Sequence, residues 1–146
     1  MDYDVDAIME NNLSENTKNI YKGRIKHFIA FVREHHIEFY NDQTESVDLN
    51  VIPENIIYAF LGHSMKKRRR NGELVQPEEY RSYEHLNGYC SAIKYYYKKQ
   101  NVPMDLSTHR KVKEFLQGYE RKVADLKQTG QMKLVEGKQP LSFAGY

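Results

Sequence analysis

Residues 13–32, LSENTKNIYKGRIKHFIAFV, join a helix-start signal to an amphipathic helix. Ser14 can accept hydrogen bonds from the unpaired N–H groups of the following turn, with Asn16 or Thr17 as alternative caps. Glu15 suits the positive end of the helix, which should therefore begin near residue 15 and run to residue 35. Apolar and aromatic residues recur at Tyr21, Ile25, Phe28 and Val32, flanked by Ile29 and Phe31, the period of a helix that buries one face. Lys18, Lys22, Lys26 and Arg33 fall within about 80° of one another at about 100° per residue, so they form one basic stripe. Such a stripe has two readings, an ordinary solvated face or a surface for an anionic partner.

Three further helices follow by the same signals. Residues 36–50 are polar and read as a connection with little regular structure. Residues 51–64 read as a short helix with Pro53 in its first turn, Glu54 at its positive end, and Ile56, Ile57, Phe60 and Leu61 buried; Gly62 helps to stop it. Residues 65–81 form a polar insertion with the run KKRRR and the turn signal Asn71-Gly72, expected to be mobile. A third helix over residues 82–100 places Leu86, Cys90, Ile93 and Tyr97 at helical spacing beside Tyr89 and Tyr96, and residues 101–103 end it. A fourth, over residues 107–127, is capped by Ser107 or Thr108, buries Val112, Phe115, Leu116, Tyr119 and Val123, and ends before Gly130. With no sustained strand alternation and no repeat, the fold class is all-α, four helices around one core. Residues 1–13 read as a flexible acidic lead, and residues 128–146 as a linker in which Pro140-Leu141-Ser142 starts another helix.

A chain of 146 residues, 40% hydrophobic, is enough for one globular domain. Its net charge of +2 conceals an asymmetry: residues 1–62 hold 5 Lys/Arg against 11 Asp/Glu, and residues 63–146 hold 17 against 9. Folding can gather the second group into a basic surface. The single Cys90 excludes an internal disulfide and a cysteine-rich zinc site, and its place in an apolar helical pattern marks a buried structural thiol. No run of 18 apolar residues occurs, and the acidic start lacks a secretory signal, so an intracellular place and no membrane partner are expected.

Three motifs taken in order resemble the N-terminal core-binding domain of tyrosine recombinases and phage-type integrases. Ser14-x-x-Thr17-x-x-x-Tyr21 followed by Phe28 and Phe31 looks like that family's opening helix. Ile52-Pro53-Glu54 leading to Ile57-x-x-Phe60-Leu61 is similar to its second. Asn87-Gly88-Tyr89-Cys90-Ser91-Ala92-Ile93-Lys94 with Tyr96-Tyr97 resembles its third. The resemblance spans residues 13–127 and is nearer to eukaryotic mobile-element recombinases of the Crypton or DIRS-like kind than to bacterial ones. Two departures stand out: the family often has a basic residue where Gly88 stands, and the insertion at 65–81 is longer than usual. Residues 136–141 are similar to the entrance of a catalytic domain, which would follow.

The resemblance implies a four-helix SAM-like domain forming one arm of a clamp around duplex DNA, with other recombinase protomers as further partners. Thr17 and Lys18, near a helix N-terminus, would contact phosphate, and Lys22 and Lys26 would extend that track. Asn87, Ser91, Lys94 and Lys98 lie along one edge of the third helix, Asn87 being either an adenine reader or an ordinary surface amide. Lys66, Lys67, Arg68, Arg69 and Arg70 have three readings: a nuclear-import signal, a phosphate-contacting loop, or a solvated charge run. The 12 tyrosines invite a stacking role on single strands, but Tyr21, Tyr97 and Tyr119 fall at core spacing and are better explained by packing.

Catalysis in the resembled family resides in a separate domain, expected to be absent here, with Tyr146 marking a truncation point. His35 and His36 would diverge on a helix, and His63, His85 and His109 lack metal-spaced partners, so no metal site is expected. No phosphate-binding glycine loop or nucleophile elbow occurs. The expectation is a non-catalytic DNA-binding arm with no cofactor and no small-molecule substrate, placed in the nucleus. The competing reading is a helical protein-interaction or regulatory module derived from a recombinase that has lost its catalytic half.

Overall fold

The computed structural model describes residues 13–130. The acidic lead up to residue 12 and the linker beyond residue 130, with its Pro140 helix start, lie outside the described residues. Four α-helices and one two-stranded sheet make up the regular structure there: α1 (Glu15–His35), β1 (Tyr40–Asn41), β2 (Ser46–Val47), α2 (Glu54–His63), α3 (Tyr83–Lys99) and α4 (Leu106–Gln128). The chain is thus mostly helical. The sequence suggests one core, whereas the described chain divides into two compact units, 13–52 with Gly88–Pro103, and Pro53–Asn87 with 104–130.

The first unit begins at the Ser14 cap, whose Oγ accepts from the Thr17 N–H at 3.0 Å. Phe28, Phe31 and Val32 of α1 are buried, Phe28 and Val32 completely, while Tyr21, Ile25 and Ile29 are half-buried. Truncating Phe28 to alanine should therefore cost about 3–5 kcal/mol. From α3 the unit draws Tyr89, Cys90, Ala92, Ile93, Tyr96 and Tyr97, all buried. Burial pushes the Cys90 thiol up to about 12, so it is an inert core group.

The connection at 36–50, expected to have little regular structure, instead holds a 3-10 turn (Ile37–Phe39) and an antiparallel hairpin pairing Tyr40 with Val47 and Asn41 with Ser46. Its loop is folded by Asn41, whose Oδ1 accepts from the N–H groups of Gln43 (2.9 Å) and Thr44 (3.2 Å), a side-chain substitute for a backbone turn. The hairpin is tied down from α3: the Val47 N–H donates to the buried Tyr96 hydroxyl at 3.0 Å. The end of α3 closes as a Schellman motif, with the N–H of Val102 on the Tyr97 carbonyl and that of Asn101, at φ 56°, on the Lys98 carbonyl.

In the second unit Ile56, Ile57, Phe60 and Leu61 of α2 are all buried, as are Leu86, Val112, Tyr119 and Val123; Phe115 and Leu116 are half-buried. α2 starts directly after Pro53, its N-cap, and α3 after Ser82, whose Oγ accepts from the His85 N–H. α4 begins one residue earlier than Ser107, with Asp105 as its N-cap. Thr108 is inside the helix and turns its hydroxyl to two carboxylates, 2.7 Å from Asp105 Oδ1 and 3.1 Å from Glu54 Oε1. Glu54 is the hub of this corner, accepting also from Ser107 Oγ and Lys111 Nζ.

Residues 65–81, expected to be mobile, instead form an ordered arm. The Arg81 N–H donates to the Met65 carbonyl, the Lys67 N–H to Glu79, the Val75 N–H to Lys67 and the Arg69 N–H to Glu73, so the two limbs bond along most of their length. Backbone groups satisfied in this way leave little for solvent to compete for.

Candidate nucleic-acid interface

The helix α1 presents its cations unequally. Lys22 and Lys26 are exposed and Lys18 is half-buried. Arg33, the fourth member of the stripe, lies over the Tyr40 ring at 5.8 Å. Thr17 is half-buried, with its N–H given to Ser14 Oγ and its hydroxyl accepting from the Ser14 hydroxyl at 2.9 Å. The Thr17 N–H is therefore used by the cap and the positive helix end is partly satisfied from within, while the Thr17 hydroxyl accepts in its bond to Ser14 and keeps its own O–H to donate.

On α3, Asn87, Lys94 and Lys98 are exposed and Ser91 is half-buried, within about 60° of one another at about 100° per residue. Asn87 falls in the second unit; the other seven helical candidates, Thr17, Lys18, Lys22, Lys26, Ser91, Lys94 and Lys98, belong to the first. Among the described residues, Lys18, Lys22, Lys26, Lys94 and Lys98 have no ion-pair partner, in contrast to Lys66, Lys67 and Lys111, which pair with Glu78, Glu79 and Glu54.

What joins α1 to the Gly88–Lys99 segment is a polar and aromatic seam. Tyr21 meets Tyr95 with ring centroids 5.1 Å apart, Phe28 meets Tyr96 edge-on at 6.4 Å, and His27 Nδ1 lies 2.8 Å from the Tyr89 hydroxyl. The Arg24 guanidinium lies over the Tyr89 ring at 5.2 Å, and a Cβ added at Gly88 would stand 2.9 Å from Arg24 Cζ. Glycine at 88 thus opens the space that Arg24 occupies. The seam takes Tyr21, Arg24 and Phe28 for packing and leaves Lys22 and Lys26 off it.

Arg24 and His27 do not stand out in the sequence as members of this assembly. Arg24 is three residues beyond Tyr21 and four before Phe28, on the apolar face, and that placement is the signal that it packs rather than solvates. A second exposed cation series, Arg110, Lys113 and Arg121 on α4, is also missed by counting only core positions.

The basic run divides sharply. Lys66 Nζ is 2.8 Å from Glu78 and lies over the Tyr80 ring at 5.3 Å; Lys67 Nζ is 3.2 Å from Glu79. Arg68 donates through Nε to the His63 carbonyl and through Nη1 to the Gly72 carbonyl. Arg69 and Arg70 are exposed.

Among the described residues no three His, Cys, Asp or Glu side chains are grouped to hold a metal ion, and no helix is long and apolar enough to cross a membrane. Comparison of the chain with protein-family models, curated proteins and solved structures finds no match.

Proposed function

We propose that this chain is a non-catalytic DNA-binding arm of the tyrosine-recombinase type, a SAM-like core-binding domain that contacts duplex DNA through the lysine faces of α1 and α3 during recombination or integration. The observation that carries this reading is the pair of lysine series, Lys22 and Lys26 on one helix and Lys94 and Lys98 on another packed against it, exposed and without acidic partners among the described residues. Two packed helices with lysines held off the seam supply what phosphate contact needs: long cationic side chains on a fixed backbone. Thr17 holds the first turn of α1 through Ser14, and its hydroxyl, which accepts from Ser14, is the group it has to offer a phosphate beside Lys18.

The Gly88 departure from the resembled family has a physical counterpart. Where the family often carries a cation on the third helix, Arg24 brings a guanidinium from α1 to within 2.9 Å of the vacant Cβ position. In this reading the guanidinium of Arg24 supplies a cation at that place from another element. With duplex DNA as partner and the eukaryotic mobile-element resemblance, the nucleus is the corresponding compartment.

The test is an NMR titration of the full chain with duplex DNA. The reading predicts the largest amide shifts on the exposed sides of α1 and α3, around Lys22, Lys26, Asn87, Lys94 and Lys98. Shifts confined to other surfaces, or none at saturating duplex, overturn it, and a partner protein recovered from nuclease-treated extract with no DNA response favours the interaction-module reading instead.

A further inference from the structure

The five consecutive cations Lys66–Arg70 are chemically alike in sequence and unlike in structure. Lys66 and Lys67 are neutralised across the arm by Glu78 and Glu79, and Lys66 is also held against Tyr80, which Lys122 of α4 approaches at 5.3 Å as well. Arg68 is spent on two main-chain carbonyls. Only the tip is left: the Gly72 N–H donates to the Arg69 carbonyl at 2.9 Å, closing a tight turn with Arg70 and Asn71 at its corners and Gly72 at φ 94°, a value that suits glycine. Asn71 Oδ1 accepts from the Glu73 N–H at 3.0 Å and fixes the turn further.

The base of the arm is equally fixed. The Arg81 N–H bonds to the Met65 carbonyl, and the Tyr119 hydroxyl of α4 donates to the Arg81 carbonyl at 2.6 Å and lies 3.3 Å from that of Met65. A linear import signal is read as an extended peptide whose consecutive side chains are all open to the receptor. Here that reading would require breaking the ladder, two ion pairs and both Arg68 hydrogen bonds.

We infer that the arm is a rigid phosphate probe: Arg69 and Arg70 at its tip take backbone phosphates of duplex nucleic acid, and Lys66, Lys67 and Arg68 hold the arm in shape. Guanidinium forks pair with phosphate oxygens in a bidentate manner, and a fixed turn presents them with little ordering still to lose on binding. Glu73, exposed beside the turn, is the one carboxylate on the tip and limits the local excess of positive charge. The inference rests on the duplex reading for its ligand and on separate residues for its site.

The experiment measures affinity of the full chain for a mixed-sequence DNA duplex against salt, for wild type, Arg69→Ala/Arg70→Ala, Lys66→Ala/Lys67→Ala and Lys22→Glu/Lys94→Glu, each checked for folding by circular dichroism. Losing two phosphate contacts lowers the slope of log affinity on log salt by about 1.8, so between about 50 and 200 mM salt the tip variant loses roughly tenfold less affinity than wild type. The Lys66/Lys67 variant binds more weakly at every salt concentration because the arm is less fixed, but keeps the wild-type slope, since the cross-arm main-chain bonds and the two Arg68 hydrogen bonds still present Arg69 and Arg70. An unchanged slope in the tip variant overturns the inference, as does an equal drop in both arm variants, which would make the run a diffuse charge. Nuclear accumulation of a fluorescent fusion that fails in the Lys66/Lys67 variant, with DNA slopes unaltered, assigns the run to import and overturns it too. If Lys22→Glu/Lys94→Glu abolishes binding while the tip variant matches wild type, the arm inference alone fails; if no variant changes binding, both readings fail.

Discussion

The Tyr119 hydroxyl donates a 2.6 Å hydrogen bond to the main-chain carbonyl of Arg81, so a side chain in the middle of α4 fastens the point where the arm rejoins the fold. Removing that hydroxyl in Tyr119→Phe leaves the carbonyl without this donor at a largely buried site. The expected cost is roughly 1–2 kcal/mol in chemical denaturation, with faster amide exchange at Lys67 and Arg81 than elsewhere in the second unit. Equal stability and unchanged exchange would contradict the fastening role.

The same phenol makes alkaline stability informative. Burial first, then the neighbouring Tyr80, pushes Tyr119 up from 10.0 to about 12, with Arg81 opposing. Because the folded value is the higher one, the neutral phenol's contribution is complete below about pH 10 and is lost as pH rises toward about 12. The urea midpoint should fall across that window, and Tyr119→Phe should remove part of the fall; curves that run parallel above pH 10 would contradict this.

At the acid end the corner around Glu54 behaves oppositely. Its hydrogen bond from Lys111, aided by Thr108 and Ser107, holds the carboxyl below 4.5 against the opposing effect of burial. A lowered folded value gives a contribution present above about pH 4.5 and lost as pH falls below it. Glu54→Gln should therefore flatten the acid limb of the stability profile while leaving the alkaline limb in place, read by thermal unfolding from pH 3 to 7. An acid limb identical to wild type would show that the corner is not coupled to folding.

Arg24 and Gly88 form the third testable relationship. Alanine at 88 gains about 1 kcal/mol of helix propensity, but its Cβ meets the Arg24 guanidinium at 2.9 Å. Since that group is the far end of a flexible side chain, Gly88→Ala should be mildly stabilising, by less than the full propensity gain. In an Arg24→Ala background the whole gain should be recovered, a coupling of roughly 0.5–1 kcal/mol in a double-mutant cycle. Zero coupling would mean that Arg24 does not depend on the glycine.

Periodicity made the apolar faces of α2 and α3 legible: every position read as core on those two helices is buried. The hairpin at 40–47 was not legible, because two-residue strands are too short to alternate and their anchor, the Tyr96 hydroxyl, is 49 residues away from Val47. The arm was visible as an insertion but not as an ordered one, since its order comes from pairings across it, Lys66 with Glu78 and Lys67 with Glu79, and from Tyr119 on α4. Of the candidate interface, the lysines were readable from helical spacing alone. The Ser14 cap that takes the Thr17 N–H was legible too, whereas the placement of Arg33 over Tyr40 depends on side-chain geometry that composition does not encode.

The measurement that bears most directly on the DNA-binding account is the salt dependence of duplex affinity for wild type and for Lys22→Gln/Lys94→Gln, which removes one cation from each helix and leaves the Tyr21, Arg24 and Phe28 seam intact. The account predicts retention of duplex by wild type at about 50 mM salt and a slope shallower by about 1.8 in the variant. No retention by wild type, or superimposable salt curves for the two proteins, would contradict it.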